Sequence, residues 1–471
     1  MSEVTGSPKW SRRKFSTACI GFGIGAAAPS YGQLRQDLDL LPRGSDAFAK
    51  SCGIFNTDVH LQPQIIAKCR SVDAVSKAIH YANERGLPVA VRSGGHSFVG
   101  HCLNDNGVVI DLTEMNRHSL LPDGVGFVAD PAVKLGGVYE LLLPRRRLLP
   151  AGSCAGVGLA GLTLGGGYGL FARQYGLTCD HLEGVTFVSG SGEVIDSEDD
   201  ADLLWAARGG GNGNFGVAVS FRFRTQPAPA FIAAERFVAS LSGVSQTVSL
   251  MRRWFEIATA LPDPIFAALV LNHKGASVLM TSTYAETGPA FSRASAQFRA
   301  AGMKSKGSSR VEPMRSVKRY YGRTEPLPFR NFSGGFYQGM ADIEGAAEGI
   351  VSALRSESGL IFQINTLGGQ IANGPESAYA HRAYPFLGEV QAYWEPGQSE
   401  KRERLVAATD RIRLGLQQSG VSRHYRNYPS LDFSDWENAY YGSRYSKLQQ
   451  LKKKYDPSNL FRGSQRVSLE T

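Results

Sequence analysis

Eight of the eighteen residues from Gly152 to Gly169 are glycine, in the order Gly152-Ser-Cys154-Ala-Gly-Val157-Gly158-Leu-Ala-Gly161-Leu-Thr-Leu-Gly165-Gly166-Gly167-Tyr168-Gly169. A run of this density disfavours a long helix or strand, because each interior glycine costs roughly 0.5–1 kcal/mol relative to alanine. It favours close backbone approach, with main-chain N–H groups converging on an anion such as a pyrophosphate. The letters Gly156-Val-Gly158-Leu-Ala-Gly161 match a dinucleotide fingerprint. That fingerprint needs a strand before it and a long helix after it. Here Leu148-Leu149-Pro150 make a poor strand, and three more glycines interrupt the helix.

A second glycine turn, Arg92-Ser93-Gly94-Gly95-His96-Ser97-Phe98, follows the apolar run Leu87–Val91, and a third, Arg208–Gly216, precedes the alternating strand 217–224. His96 lacks the neighbours of a metal ligand, since only His101 lies near it and no acidic cluster accompanies the pair, so no metal is expected. His96 and Cys154 stand 58 positions apart, each a nucleophile presented by a glycine turn. That arrangement suits gripping one large cofactor at two points.

Elsewhere the chain alternates short elements, which predicts an α+β fold. Apolar residues over 65–85 have helical spacing, with Ser71 and Asp73 as start signals and Gly86 as a stop. Strands are expected at Val89–Val91, Val108–Ile110 and Gly126–Val128, then at Leu269–Leu271, Val278–Met280 and Ile361–Ile364, with helices over 292–301 and 346–356. Gln226-Pro-Ala-Pro229 reads as a linker. At 471 residues the chain exceeds what one core usually serves, so two domains are expected.

Four motifs in this order resemble the berberine bridge enzyme-like FAD-linked oxidases of the vanillyl-alcohol oxidase superfamily. Arg92–His96 and Gly152–Gly158 match the turns whose histidine and cysteine both bond to the flavin in that family. Arg208-Gly-Gly-Gly-Asn-Gly-Asn214-Phe-Gly216-Val217 resembles its segment along the phosphate and adenosine part, and Tyr455-Asp-Pro-Ser-Asn459-Leu-Phe461 its closing motif. The resemblance runs from about residue 55 to 467. It implies a two-domain PCMH-type FAD-binding fold with an inserted α+β substrate domain on an antiparallel sheet. The FAD domain would take residues 50–228 and 421–471, and the substrate domain 229–420. It further implies FAD covalently held by His96 and Cys154. Contacts are implied from Arg92, Ser93, Gly94, Gly95, Ser97, Gly152, Val157, Gly158, Gly161, Gly165, Gly166, Asn214, Gly216, Val217 and Asn459. Family members usually carry His or Asn eight positions after the cysteine; Leu162 stands there, so no polar contact is expected from it.

Removing a hydride from a carbinol carbon requires a base for the hydroxyl proton. The strand ending in Trp394 resembles one that turns Glu or Gln toward substrate. Its two-residue period puts Glu389, Gln391 and Tyr393 on one face. Tyr425-Arg-Asn427-Tyr428 resembles the family's Y-x-N-Y motif beside the flavin. Tyr428 is the first choice of base, provided a cation or polarised neighbour favours phenolate. Glu389, Tyr168 and Tyr425 are the further catalytic candidates, and Gln363, Asn365, Gln370 and Gln391 the substrate contacts. In the family this chain resembles, the residue three after the cysteine gates oxygen access at the flavin, so the small Val157 there implies oxygen as electron acceptor and hydrogen peroxide as product. The expected reaction oxidises an alcohol or hemiacetal carbon of a carbohydrate or natural product. The alternatives are oxidative C–N or C–C bond formation, or a flavin-carrying binding protein without turnover.

The formal charge of +9 does not indicate a nucleic-acid partner, because residues 1–35 carry +4 and residues 441–471 carry +5, leaving a neutral body. Ser11-Arg12-Arg13-Lys14-Phe15, followed by a Gly/Ala-rich apolar stretch of about a dozen residues, resembles a twin-arginine signal. The stretch is too short to span a bilayer. Export to the periplasm or medium is expected, with cytoplasmic residence if the signal is unused. The six cysteines allow one disulfide without choosing its partners, and contain no CxxC pair.

Overall fold

A computed structural model describes residues 37–240, 243–283, 288–319 and 325–469. The Arg12-Arg13 motif and Cys19 lie outside the described residues. Residues from Asp37 onward form one compact unit.

Three sheets organise it. The first has four strands in the order Leu38–Pro42, Ile65–Cys69, Val108–Asp111, Val89–Arg92, with the last three mutually parallel. The helical spacing over 65–85 is therefore two elements. Ile65–Cys69 pairs on both sides as a buried strand, and the helix begins at Val72. Ser71 caps that helix by accepting from the Ala74 N–H at 3.1 Å, and Gly86 beyond its end has φ +61°. Apolar periodicity alone cannot separate a fully buried strand from the start of a helix. The remaining strands Val89–Arg92 and Val108–Asp111 contain the runs read from sequence.

The second sheet is antiparallel, in the order His118–Leu120, Gly126–Ala129, Gly216–Arg224, Leu182–Ser189, Val194–Asp196. The stretch expected to be a linker begins as structure: Gln226–Pro227 pairs antiparallel with Arg147–Leu148.

The third sheet has seven antiparallel strands in the order Lys304–Val311, Ile232–Ala239, Gly275–Ser282, Ile265–Asn272, Leu360–Thr366, Phe386–Tyr393, Phe329–Tyr337. Along its central strands alternate residues face opposite sides. Ile265, Ala267, Leu269 and Leu271, with Leu360, Phe362, Ile364, Phe386, Val390 and Ala392, belong to the main core, which also takes in residues of the helices Val244–Thr259, Glu344–Ser356 and Ser399–Gln418. The intervening residues look the other way and roof a cavity.

The last fifty residues then return to the first two sheets. Leu460 and Phe461 pack with Val89, Val188, Val217 and Val219, and the Val89 N–H donates to the Leu460 carbonyl at 3.0 Å. A fully buried ion pair, Lys452 Nζ to Asp456 Oδ2 at 2.7 Å, fastens this segment. Its remaining capacity is used: Nζ also donates to the carbonyls of Asn214 and Phe461, and the carboxylate accepts from the N–H groups of Leu460 and Phe461. Burying two charges is tolerable only when they are satisfied in this way.

Candidate functional site

The cavity lies between the glycine turns and the seven-stranded sheet and holds about 590 Å³. That is the size of a small-molecule or cofactor site. His96 and Cys154 both line it. What brings their turns together is the absence of side chains. A Cβ on Gly94 would stand 2.3 Å from the Gly158 amide nitrogen, and one on Gly158 would stand 2.7 Å from that of Gly94. We expect Gly94→Ala to lower stability by about 1–3 kcal/mol, the usual cost of overpacking. An unchanged melting temperature would contradict this contact.

His96 stacks on Phe55, with ring centroids 4.2 Å apart and 19° between planes. Burial, with a smaller effect of Lys134, lowers its pKa to about 4 against an opposing backbone hydrogen bond to Gly156. The imidazole is therefore neutral and nucleophilic near pH 7.

On the opposite wall, polar side chains form one connected network. Gln363 Nε2 donates to Asn365 Oδ1 at 2.9 Å, and Asn365 Nδ2 donates to the Tyr168 hydroxyl at 3.1 Å. The Tyr168 and Tyr428 hydroxyls are 2.7 Å apart. From the other end, Asn331 Nδ2 donates to the Tyr393 hydroxyl at 2.7 Å, which donates to Gln391 Oε1 at 3.2 Å. Gln391 and Tyr428 both hydrogen-bond the Glu389 carboxylate. With Glu389 ionised, Tyr428 donates to it and Tyr168 to Tyr428, so donors run toward one carboxylate from both sides. Burial pushes Glu389 up to about 8 although both hydrogen bonds pull it down.

Tyr428, the first choice of base, meets its condition less well. Burial, then the charges of Glu389 and Tyr168, raises its pKa well above the ordinary 10, and its hydrogen bond with Tyr168 raises it further. Tyr168 is raised likewise by burial and Glu389. Tyr425 is engaged elsewhere, its hydroxyl accepting from the Gly167 N–H at 2.9 Å and from Asn427 Nδ2 at 3.0 Å.

Of the proposed cofactor contacts, Ser93, Gly94, Gly95, Ser97, Gly152, Val157, Gly158, Gly161 and Gly216 line the cavity. Others stand behind it. Gly165 abuts Asn427 and Gly166 abuts Tyr379. Arg92 donates to the Gly53 carbonyl at 2.6 Å, and Val217 sits in the core beneath the first sheet. Asn214 is buried with its amide on the Gly210 carbonyl, and its own carbonyl accepts from Lys452. Asn459, at φ +52°, shapes the turn held by Asp456. Gln370 is exposed and donates to Asp263 at 3.3 Å, whereas Gln363, Asn365 and Gln391 line the cavity.

Sequence reasoning missed Arg426, Arg466 and His101. All three line the cavity; Arg426 and Arg466 are buried and His101 is half-buried. Neither arginine pairs with a carboxylate among the described residues; Arg426 Nε donates to the Tyr441 hydroxyl and Arg466 to the carbonyls of His101 and Asn212. Burial, then Arg426, lowers the Arg466 pKa to about 10. Arg426 Nη1 lies 3.3 Å from His101 Nδ1 and can only donate, so His101 Nε2 carries the proton. That buried N–H has no acceptor among the described residues. Only the position of Arg426 inside the tyrosine motif hinted at this cluster.

The described cysteines form no disulfide. No group of metal-ligating side chains occurs among the described residues, and no helix among them is long and apolar enough to cross a membrane.

Two family models match the chain in order: an FAD binding domain over residues 63–198 and a berberine and berberine-like domain over 424–468. The chain is an FAD-linked oxidoreductase that carries an FAD-binding domain and a berberine-like domain. A Bacillus subtilis relative described as the uncharacterized FAD-linked oxidoreductase YgaK is 26% identical over 437 residues, covering 88% of this flavoenzyme and 92% of the relative. A solved chitooligosaccharide oxidase superposes with TM-score 0.81 at 25% identity, over 92% of this chain and 98% of that one. A glucooligosaccharide oxidase from Acremonium strictum, described with 6-S-cysteinyl, 8α-N1-histidyl FAD, has TM-score 0.81 at 22% identity over 92% and 97%. These likenesses establish the PCMH-type α+β fold for this flavoenzyme.

Proposed function

We propose that this FAD-dependent oxidase carries its flavin on both His96 and Cys154, and oxidises an alcohol or hemiacetal carbon of a carbohydrate or natural product. The observation that carries the reading is that one cavity presents the neutral His96 and Cys154 on touching loops, opposite a hydrogen-bond network that ends on Glu389. We assign residues 50–228 and 421–471 to the cofactor and 229–420 to the substrate, with the N-terminal arginine motif directing export.

The residues present fit FAD. Two buried guanidinium groups and an unpartnered N–H need anionic oxygens, and a dinucleotide's diphosphate supplies them. Arg426, Arg466 and His101 would hold that part, and the glycine turns would admit the rest. Bound there, FAD would supply hydride-accepting redox chemistry, with oxygen as the acceptor of both electrons and hydrogen peroxide as the product.

The chain's own residues do the proton work. Glu389 takes the hydroxyl proton as its carboxylate; Tyr428 and Tyr168 hold it oriented and screen it from water. Gln363, Asn365 and Gln391 bind the substrate's other polar groups. Val157 leaves room for oxygen beside the cysteine.

A peroxide-coupled screen of sugars, glycosides and secondary alcohols tests the activity. Silence with the flavin still oxidised overturns it. For attachment, His96→Ala is expected to leave flavin on the Cys154 peptide alone in a mass-spectrometric map. Flavin still linked at two points in that variant refutes the role of His96.

A further inference from the structure

The strand register divides the cavity roof into unlike halves. Along one strand Phe266, Ala268 and Val270 face the cavity, joined by Leu279 from the neighbouring strand, where it pairs with Ala268. Across the sheet, Gln363 pairs with Glu389, and Gln391 pairs with both Ile361 and Asn331. The boundary runs between adjacent strands, where Val270 opposes Gln363 and Ala268 opposes Asn365. A ligand spanning this roof therefore meets hydrocarbon on one side and amides with a carboxylate on the other.

We infer that the physiological substrate is an alcohol on a largely hydrocarbon body, such as a terpenoid or arylpropenoid alcohol, rather than a free oligosaccharide. This rests on the reading of the cavity as the site of alcohol oxidation. A sugar projects hydroxyls from nearly every ring carbon. Those turned toward Ala268, Val270 and Leu279 would lose water without a partner, each costing about tenfold in affinity. Only Phe266 on that half offers an aromatic face, and the aliphatic remainder suits hydrocarbon.

The polar half has little spare capacity. Gln363 and Asn365 bond one another, Asn365 is committed to Tyr168, and Asn331 and Tyr393 lead to Gln391. What remains serves one or two hydroxyl groups, not a chain of them. The hydrocarbon body lies on the apolar half and brings its single carbinol group to Glu389.

The test uses the holoenzyme under anaerobic conditions, with perillyl alcohol, cinnamyl alcohol and cellobiose as probes. Kd is read from perturbation of the flavin absorbance, and turnover from its bleaching. We expect either hydrocarbon-bodied alcohol to bind at least tenfold more tightly than cellobiose, and Val270→Asn to reduce that ratio about tenfold. If Val270→Asn does not fold, Leu279→Thr carries the same expectation. Cellobiose binding as tightly as the alcohols, or a ratio indifferent to the folded variant, overturns the inference. Bleaching by cellobiose in that case leaves the oxidase reading standing. Tight binding of the alcohols without bleaching upholds the apolar site and overturns the assignment of alcohol oxidation.

Discussion

Glu389→Gln is expected to slow substrate-driven flavin reduction about 10²–10⁴-fold, the usual contribution of a positioned base. The amide keeps the shape of the carboxylate and can still accept from Tyr428, but it cannot take a proton. The pH dependence separates this from a packing defect. In the parent, the active carboxylate forms as pH rises through about 8, so the reduction rate climbs through that value and then levels. The variant lacks this limb. A parent rate that is flat between pH 6 and 9 would remove Glu389 from the reaction.

Stability must move in the opposite sense. The folded pKa stands above the ordinary 4.5, so between pH 4.5 and about 8 the folded state retains a proton that the unfolded state releases. Stability therefore falls as pH rises through that window. Glu389→Gln should unfold at a higher temperature than the parent at pH 9, gaining up to a few kcal/mol at about 1.4 kcal/mol per pKa unit, and should match it near pH 4. A variant equally unstable at both pH values would show that the carboxyl is not desolvated.

In a His96→Ala, Cys154→Ala background, where flavin binds without covalent attachment, replacing Arg426 and Arg466 together by leucine is expected to reduce flavin content, read as the ratio of absorbance at 450 nm to that at 280 nm, at least tenfold. Each charge-assisted hydrogen bond to a phosphate oxygen contributes about 1.5–3 kcal/mol, and 1.4 kcal/mol is a factor of ten in affinity. The flavin-free protein should melt no lower than flavin-free parent, since two buried like charges are gone. Arg466→Lys, which keeps the charge, should retain more flavin than Arg466→Leu. Full flavin content in the double variant would place the anionic part of the cofactor elsewhere.

The sequence made the site's local chemistry legible and hid its long-range assembly. Two-residue alternation was enough to put Glu389, Gln391 and Tyr393 on one face, and the structure has all three on the cavity. Glycine spacing identified two turns, but the mutual exclusion of side chains at Gly94 and Gly158 is a contact across 64 positions that no local pattern encodes. Arg426 and Arg466 read as ordinary basic residues near a basic terminus; only folding removes them from water and from carboxylates. The same limit explains Asn214 and Asn459, whose motifs marked a backbone junction rather than side chains on the cavity. Strand Ile65–Cys69 was absorbed into a helix because buried strands and helices share an apolar run, and pairing on both edges decides between them.

The chain's return to its starting lobe has a consequence for biosynthesis. Arg426, Asn427, Tyr428 and Arg466 form part of the cavity wall, and the Lys452–Asp456 pair that fastens this segment lies between them in sequence. During translation these residues leave the ribosome long after the glycine turns at 92–98 and 152–169. Until then the nascent protein has its glycine turns but an open pocket. Enclosure of a cofactor thus waits for residues 426–466, and truncation shortly before residue 452 would yield a chain with both turns and an incomplete wall to close over them.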